Sequence, residues 1–515
     1  MSAPEASADI AALARGGRTN FLGFLLRLAA RLPFLFIAGR LYGADALGRF
    51  ASAMVMIELS GQLCTLGQKR GLAYRLSEDE RHPANIVADG MVLSLVIAAV
   101  VGALFWVFPA PMFPSGHYSQ IDRLLVLAIF PSTQTDIALA ALAYRYDVAA
   151  TVRSRSIVEP WSLAVTAAAC FYLAHGTPIA ASGLAIAYIV SQYTSAVAAL
   201  VPLMRSYGAP RDWAPHPLRI ARLMISTMPV AAADAVEWGT RKLDIFILGY
   251  FAAPEAVGIY YVAQQVASLP QKLKTSFEPI LGPVITRNLK LHNRAEVARQ
   301  VCQVGFWITA AQAGIALALG IPGRGVMGLV GPHFVGGTGA LAFLLLAEVS
   351  AATAVVSEAA LIYIARIQNL LISLATIALQ AVLTIGGILV IGRLGLGGHA
   401  RGASAAAALM VTLGIASIIK SRLLARLLGH RINNWRLALL PAVVSAAAIG
   451  ALAVYFLPEW AGMIFGIPAI LGLYCWVLWH RGFGPDDRVL FRSAATESPG
   501  TDGNLLLSEA ATAPN

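Results

Sequence analysis

The feature that most constrains this chain is a succession of about fourteen apolar blocks, separated by short gaps that hold most of its charge. The blocks lie near 19–40, 46–68, 86–109, 121–143, 157–175, 179–203, 220–250, 256–284, 300–321, 336–363, 368–392, 403–425, 436–457 and 461–480. At 1.5 Å of rise per residue, about 20 residues cross the roughly 30 Å hydrocarbon layer of a bilayer. Charged residues make up 13% of the chain, and its mean hydropathy is +0.69. A soluble domain carries about 25% charged residues. So many apolar blocks cannot all be interior to a soluble protein, and the expected fold is an all-α polytopic membrane protein.

The loops set its orientation. An even number of spans puts both termini on one side. The gaps on that side hold Arg15 and Arg18, Lys69 to Arg81, Arg145 to Arg155, Arg205 to Arg222, Arg287 to Arg299, Arg366 and Arg431. The opposite gaps hold Arg40, Arg49, Arg324, Arg393 and Arg401, mostly beside a span end. Lys and Arg collect on the cytoplasmic side, so both termini are expected there. The net charge of +11 is thereby assigned to loops facing anionic lipid, and nucleic acid is not an expected partner. Residues 1–18 read as a cytoplasmic tail with no cleavable signal, and 481–515 as a partly disordered cytoplasmic tail.

An internal repeat organises the spans. GRLYGADALGRF at 39–50 aligns with GYFAAPEAVGIY at 249–260, an offset of 210 residues. Gly39 matches Gly249, Asp45 matches Glu255, and Gly48 matches Gly258. The reading is a parallel repeat of two six-span units, 19–203 and 220–425, joined by a linker at 204–219. Two additional spans follow at 426–480. Parallel halves are a known transporter plan.

Charge inside a bilayer is costly and marks candidate function. In span seven, Asp234, Glu237, Arg241 and Asp244 are spaced to share one helix face. They read as a cavity wall, or as a self-neutralising seam. Lys242 lies off that arc and faces a neighbour or snorkels. Arg27 and Arg31 in span one form a basic stripe suited to an anionic head group. Glu58, Asp136, Glu348 and Glu358 are candidates for coupling to a cation. In the eighth span, Gln264, Gln265, Lys272 and Lys274 are placed to line the mouth of the same cavity.

No catalytic constellation rises above this background. No Walker A, GxSxG or HExxH pattern is present, and the cysteines at 64, 170, 302 and 475 form no CxxC pair. Neither a cofactor nor a metal is expected.

Three stretches carry a family likeness: LYGADALGRFASAMVMIELSGQLCTLGQKRGLAYRL at 41–76, RKLDIFILGYFAAPEAVGIYYVAQQVASLP at 241–270, and GRLGLGGHARGASAAAALMVTLGIASIIKSRLLARLLG at 392–429. Together they resemble bacterial polysaccharide-biosynthesis flippases, the Wzx-like branch of the multidrug/oligosaccharidyl-lipid/polysaccharide exporter superfamily. Tyr250 departs from the pattern, standing where a basic residue is common. The resemblance implies fourteen helices in two bundles around a central cavity. It implies alternating access, coupling to an ion gradient, and a polyprenyl-diphosphate-linked glycan as substrate. It also implies contact with membrane lipids, and a polysaccharide polymerase and chain-length regulator as partners. A cation-coupled multidrug or metabolite antiporter, a lipid II flippase and a membrane-embedded polymerase or transferase remain alternatives.

Reporter fusions after residues 80, 150, 212, 295 and 430 should report cytoplasm, and those at 114, 176 and 396 the outer side. Two adjacent fusions on the wrong side would overturn the span assignment.

Overall fold

The computed structural model describes residues 31–484 apart from 175, 215 and 292. The expected tail 1–18, the start of span one with Arg27, and residues 485–515 of the expected C-terminal tail lie outside the described residues. So do the side chains of Glu237, Lys272 and Lys274.

Among the described residues the secondary structure is helical, with no strand. α1 is described from residue 31 and ends in a π-helical turn, Ala38–Tyr42. The first half continues with α2 (Gly43–Cys64), α3 (Gln68–Glu78), α4 (Pro83–Val107), α5 (Gln120–Tyr144), α6 (Val148–Leu173) and α7 (Gly183–Tyr207). The second half opens with α8 (Pro217–Phe251), α9 (Pro254–Lys290), α10 (Arg294–Gly320) and α11 (Gly323–Val330). It closes with α12 (Pro332–Ile364), α13 (Arg366–Arg393), α14 (Gly398–Leu428), α15 (Leu439–Phe456) and α16 (Glu459–Arg481). The reversal from α1 into α2 turns on Gly43, whose φ of 82° with an extended ψ is open to glycine and strained for other residues.

Ten of these helices are long and apolar enough to cross a bilayer: α4 to α7, α10 and α12 to α16. Their outward faces carry large apolar side chains. Examples are Val96, Val100 and Leu104 on α4, Leu370, Leu371 and Leu374 on α13, and Leu440, Val444 and Leu452 on α15. In water such surfaces would be untenable, whereas lipid covers them. The expected spans two, seven and eight correspond to α2, α8 and α9, which are not among the ten. They carry acidic, basic and amide residues along their length, and this lowers their hydropathy.

Span five departs from its expected start. The helix begins at Val148, nine residues before the expected 157, and passes through a π-helical turn at Val152–Val158. Its two arginines, Arg153 and Arg155, read in sequence as loop charge. The structure places Arg155 inside the packed helices, where carboxylates make a helical position tolerable.

One apolar core joins helices of the two expected units. Phe34, Leu47 and Ile57 pack in the same cluster as Leu248, Tyr260 and Leu341. Separate clusters consolidate the first half around Leu72, Ile137 and Leu203, and the second around Val301 and Leu424 and around Phe306 and Tyr474. The last of these seats α15 and α16 on α10.

The join is tightest where α2 crosses α9. A methyl group at Gly48 would overlap the Pro254 carbonyl, and one at Gly258 would overlap that of Ala44. Each would stand 2.9 Å from the other glycine's nitrogen. Gly48 and Gly258, like Ala44 and Pro254, are 210 positions apart, the offset of the expected repeat, and they approach one another reciprocally. Small residues permit this close approach of backbones, a common basis of helix association in lipid. The crossing lies at the end that loop charge assigns to the outer side. Arginines at that end satisfy nearby acceptors. Arg401 Nη1 donates to the Phe251 carbonyl at 2.8 Å, and Arg324 Nε lies 3.6 Å from Glu459 Oε1.

Gly48→Ala should therefore cost about 1–3 kcal/mol through overpacking. Gly71→Ala, in α3 with open space around its Cα, should be neutral or gain up to about 1 kcal/mol. Thermal unfolding of both variants in detergent checks the contrast, and equal melting temperatures would refute the close crossing.

Candidate functional site

Four helices bring polar side chains together at the join: α1 and α2 from the first half, α8 and α9 from the second. Arg31 on α1 donates a guanidinium hydrogen bond to Gln265 Oε1 on α9. Next to it in sequence, Gln264 faces α8, with its Oε1 3.5 Å from Lys242 Nζ. Lys242 Nζ also lies 3.9 Å from Glu58 Oε2 on α2. Arg31 and Lys242 thus come to consecutive positions of α9, and Glu58 completes a bridge between halves.

Beneath this bridge is a fully buried carboxylate. Asp244 accepts a hydrogen bond from the Tyr260 hydroxyl, and Gln264 Nε2 lies 3.4 Å from both its oxygens. The neighbouring Tyr261 hydroxyl points to Met54 Sδ at 3.8 Å, again crossing from α9 to α2. Burial of a carboxylate is tolerable only with such partners.

The acidic and basic ladder expected on α8 is distributed unevenly. Asp234 and Asp244 are buried, whereas Arg241 is exposed. Glu237 lies outside the described side chains. The α8 cation that reaches α2 is Lys242, which the helical arc had set aside. A wheel drawn on one helix orders its own faces and is silent about the neighbour each face meets.

The remaining candidates lie elsewhere. Asp136 on α5 is bonded by Arg155 Nη2 on α6, and Arg155 Nη1 lies 2.7 Å from Glu159 Oε2. Gln192 Nε2 and Ser195 Oγ of α7 approach the same Glu159, each at 3.4 Å. Neither Arg155 nor Glu159 was singled out in the sequence. Their i,i+4 spacing just before an apolar run was the available signal. The π-turn that carries Arg155 is a feature common at functional positions. In the second half, Glu358 pairs with Lys420 at 3.0 Å, and Lys420 also reaches Ser373 Oγ at 3.1 Å. Glu348 accepts from Gln271 Nε2 on α9. Glu348 and Glu358 therefore serve different neighbours, α9 and α14, although they share one helix.

Towards the end assigned to the cytoplasm, the segment between α7 and α8 is tied to α4. Asp89, on α4, accepts from Trp213 Nε1 at 2.8 Å and from Arg81 Nη1 at 2.7 Å. Asn85 makes two hydrogen bonds with the backbone of Arg211, at 2.8 and 3.0 Å. Outside the helices, hydrogen bonds from Arg81 hold the Asp79 carboxyl below its usual range.

A cavity of about 300 Å³ opens between α12, α14 and the segment before α15, lined by Ser350, Thr353, Ser417, Ser421, Asn433 and Trp435 among others. None of the charged candidates borders it. Among the described residues, no group of three or more His, Cys, Asp or Glu is placed to hold a metal ion.

This architecture has known relatives. The chain resembles the lipid II flippase MurJ in an inward closed conformation, with a TM-score of 0.66 at 11% identity, over 94% of this chain and all of that one. It resembles an inward-facing multidrug-resistance MATE family transporter of the MOP superfamily, with a TM-score of 0.62 at 14% identity, over 78% of this chain and 98% of that one. A MOP superfamily transporter from Pyrococcus furiosus aligns with a TM-score of 0.58 at 15% identity, over 81% of this chain and 95% of that one. At these identities the likeness is one of fold. No curated protein sequence matches the chain. The model of the family described as polysaccharide biosynthesis protein matches residues 37–309, more than half of the chain and the whole of the α2, α8 and α9 meeting point. This polytopic helical protein therefore belongs to the polysaccharide biosynthesis protein family and has the fold of the MOP superfamily transporters.

Proposed function

We propose that this protein is a flippase that carries a polyprenyl-diphosphate-linked oligosaccharide from the cytoplasmic to the outer leaflet of the bacterial inner membrane, for surface polysaccharide synthesis. The observation that carries the reading is the approach of Arg31 and Lys242 to consecutive positions of α9; Lys242 and α9 lie inside the span matched by the family, and Arg31 lies six residues before it. Two cations held between the halves suit a diphosphate, which offers several acceptor oxygens. A planar guanidinium can engage two of those oxygens at once, and the ammonium of Lys242 adds a compact charge. Substrate-site roles for Arg27, Asp234, Glu237, Arg241 and Asp244 belong to the same proposal. So does the grouping of the helices into two parallel six-span units that rock about this join in alternating access. A polymerase and a chain-length regulator would receive the product on the outer side.

Such transport needs an energy source. Coupling to a proton or sodium gradient through carboxylates at Glu58, Asp136, Glu348 and Glu358 is the corresponding proposal. Glu58, Asp136 and Glu358 each lie within 4 Å of a basic side chain, and Glu348 faces the amide of Gln271. The basic partner occupies the carboxylate that a cation would take, so movement of that partner during the cycle would change the affinity for a cation.

Deleting the gene should cause a polyprenyl-linked oligosaccharide to accumulate on the cytoplasmic side, detectable by mass spectrometry of extracted lipid. Accumulation of no lipid-linked glycan would reject the substrate class. Arg31→Ala should reduce export roughly ten- to hundredfold, the equivalent of one charge-assisted hydrogen bond of about 1.5–3 kcal/mol. Protein level should stay near normal, and Arg31→Lys should restore export only in part. Full export by Arg31→Ala would remove this residue from the site. Flipping in sealed vesicles should stop when both ion gradients are collapsed and should not require ATP. Flipping that persists unchanged would defeat the coupling proposal.

A further inference from the structure

We propose that Glu58 is a built-in stand-in for the substrate's anionic group: it holds Lys242 while the site is empty, and an entering diphosphate displaces it. The inference rests on the flippase reading above and assigns Glu58 a competitive role within it.

Among the described ion pairs of the join between α2, α8 and α9, this one is loose. Lys242 Nζ and Glu58 Oε2 are 3.9 Å apart, beyond hydrogen-bond length. The Glu58 side chain is 38% exposed. Two other ion pairs among the described helices are closer: Arg155 with Glu159 at 2.7 Å, and Lys420 with Glu358 at 3.0 Å, where Glu358 is nearly as exposed as Glu58 and the difference lies in the distance and in the more deeply buried cation. Both lie at hydrogen-bond length, and Lys420 has a second partner in Ser373 Oγ at 3.1 Å. A loose and partly solvated pair contributes little and exchanges readily.

The surroundings favour an anion as the competitor. Arg31 and Lys242 both lean on neutral amides of α9, those of Gln265 and Gln264. Of the two carboxylates near Lys242 among the described side chains, Asp244 is fully buried and engaged by Tyr260 and Gln264. Glu58 is the exposed one, and it comes from the opposite half. A diphosphate approaching Arg31 and Lys242 therefore meets one removable carboxylate. Its removal also releases the electrostatic tie between α2 and α8, so binding the substrate loosens the halves at that depth. A cationic substrate would leave the tie in place or compete for Glu58 instead.

The test uses the full-length protein in nanodiscs, with farnesyl diphosphate as the probe and calorimetry as the readout. Wild type should bind it, and Glu58→Gln should bind it about three- to tenfold more tightly. Lys242→Gln should weaken binding about tenfold, and the double variant should match Lys242→Gln, because the competition no longer exists. Unchanged or weaker binding by folded Glu58→Gln would overturn the proposal. A second measurement needs no variant: a zero-length carbodiimide should form an amide between Glu58 and Lys242 in wild type, read by mass spectrometry. Farnesyl diphosphate should lower that cross-link several-fold, and farnesol should not. Equal cross-linking with and without farnesyl diphosphate, under conditions where it binds, would also overturn the proposal. If wild type binds tetraphenylphosphonium and no farnesyl diphosphate, the flippase reading itself fails, and the role of Glu58 falls with it.

Discussion

Everything in this molecule follows from the cost of placing a charge where water is scarce. A side chain ionised within a bilayer must find a partner, a cavity or the interface. The chain meets this condition by segregation. The ten helices that qualify as spans by length and hydropathy present leucine and valine outward, and the ionised groups collect where helices face one another. Arg155 is enclosed by two carboxylates, Lys420 by a carboxylate and a hydroxyl, and Asp244 by a phenol and an amide. Each cluster draws on two or three helices, so the requirement for partners also specifies which helices are neighbours. Lipid exerts little apolar preference between one leucine face and another, so polar pairing and close packing carry more of that specificity here than in water.

The helices that join the halves illustrate the trade. α2, α8 and α9 are too polar to register as spans on hydropathy, and all three meet at the interface between the halves. What disqualifies them as lipid-facing helices is what equips them for the centre. At one end of this interface, the Gly48 and Gly258 crossing brings two backbones together with almost no side chain between them. Deeper along the same helices, contact is made by long polar side chains, and its tightness falls from the buried Asp244 to the loose Glu58 pair.

Much of this was legible in the sequence, for identifiable reasons. The apolar blocks follow from the thickness of the hydrocarbon, and the two glycine-bearing stretches stood out by their shared spacing before the structure set Gly48 against Gly258. Arg31 stood out as an arginine inside an apolar block, and the structure sets it against Gln265. Lys242 was not given its role, because the arc through Asp234, Arg241 and Asp244 is a property of one helix, and what Lys242 meets depends on where α2 and α9 lie. Arg155 was read as loop charge for a related reason. A hydropathy window ends a span at the first cluster of basic residues, but carboxylates on α5 and on α6 itself let the helix continue through them. In each case the missing information was the identity of the neighbour, which no local pattern contains.

The distribution of tight and loose contacts bears on how such a protein can move. A dry glycine crossing is short-ranged, because dispersion falls steeply with separation, so it is either made or broken. An ion pair at 3.9 Å with one partner more than a third exposed is softer: water and other anions can take either side of it. Two contacts of such different character along one pair of halves allow them to part at one depth while remaining joined at the other. A fold held at both depths by pairs as close as Arg155 with Glu159 would be more rigid, and binding an anion between its halves would have no weak contact to exchange. In the proposed cycle, the weakness of the Glu58 and Lys242 contact is therefore a requirement of the site, and the glycine crossing provides the fixed edge against which it yields.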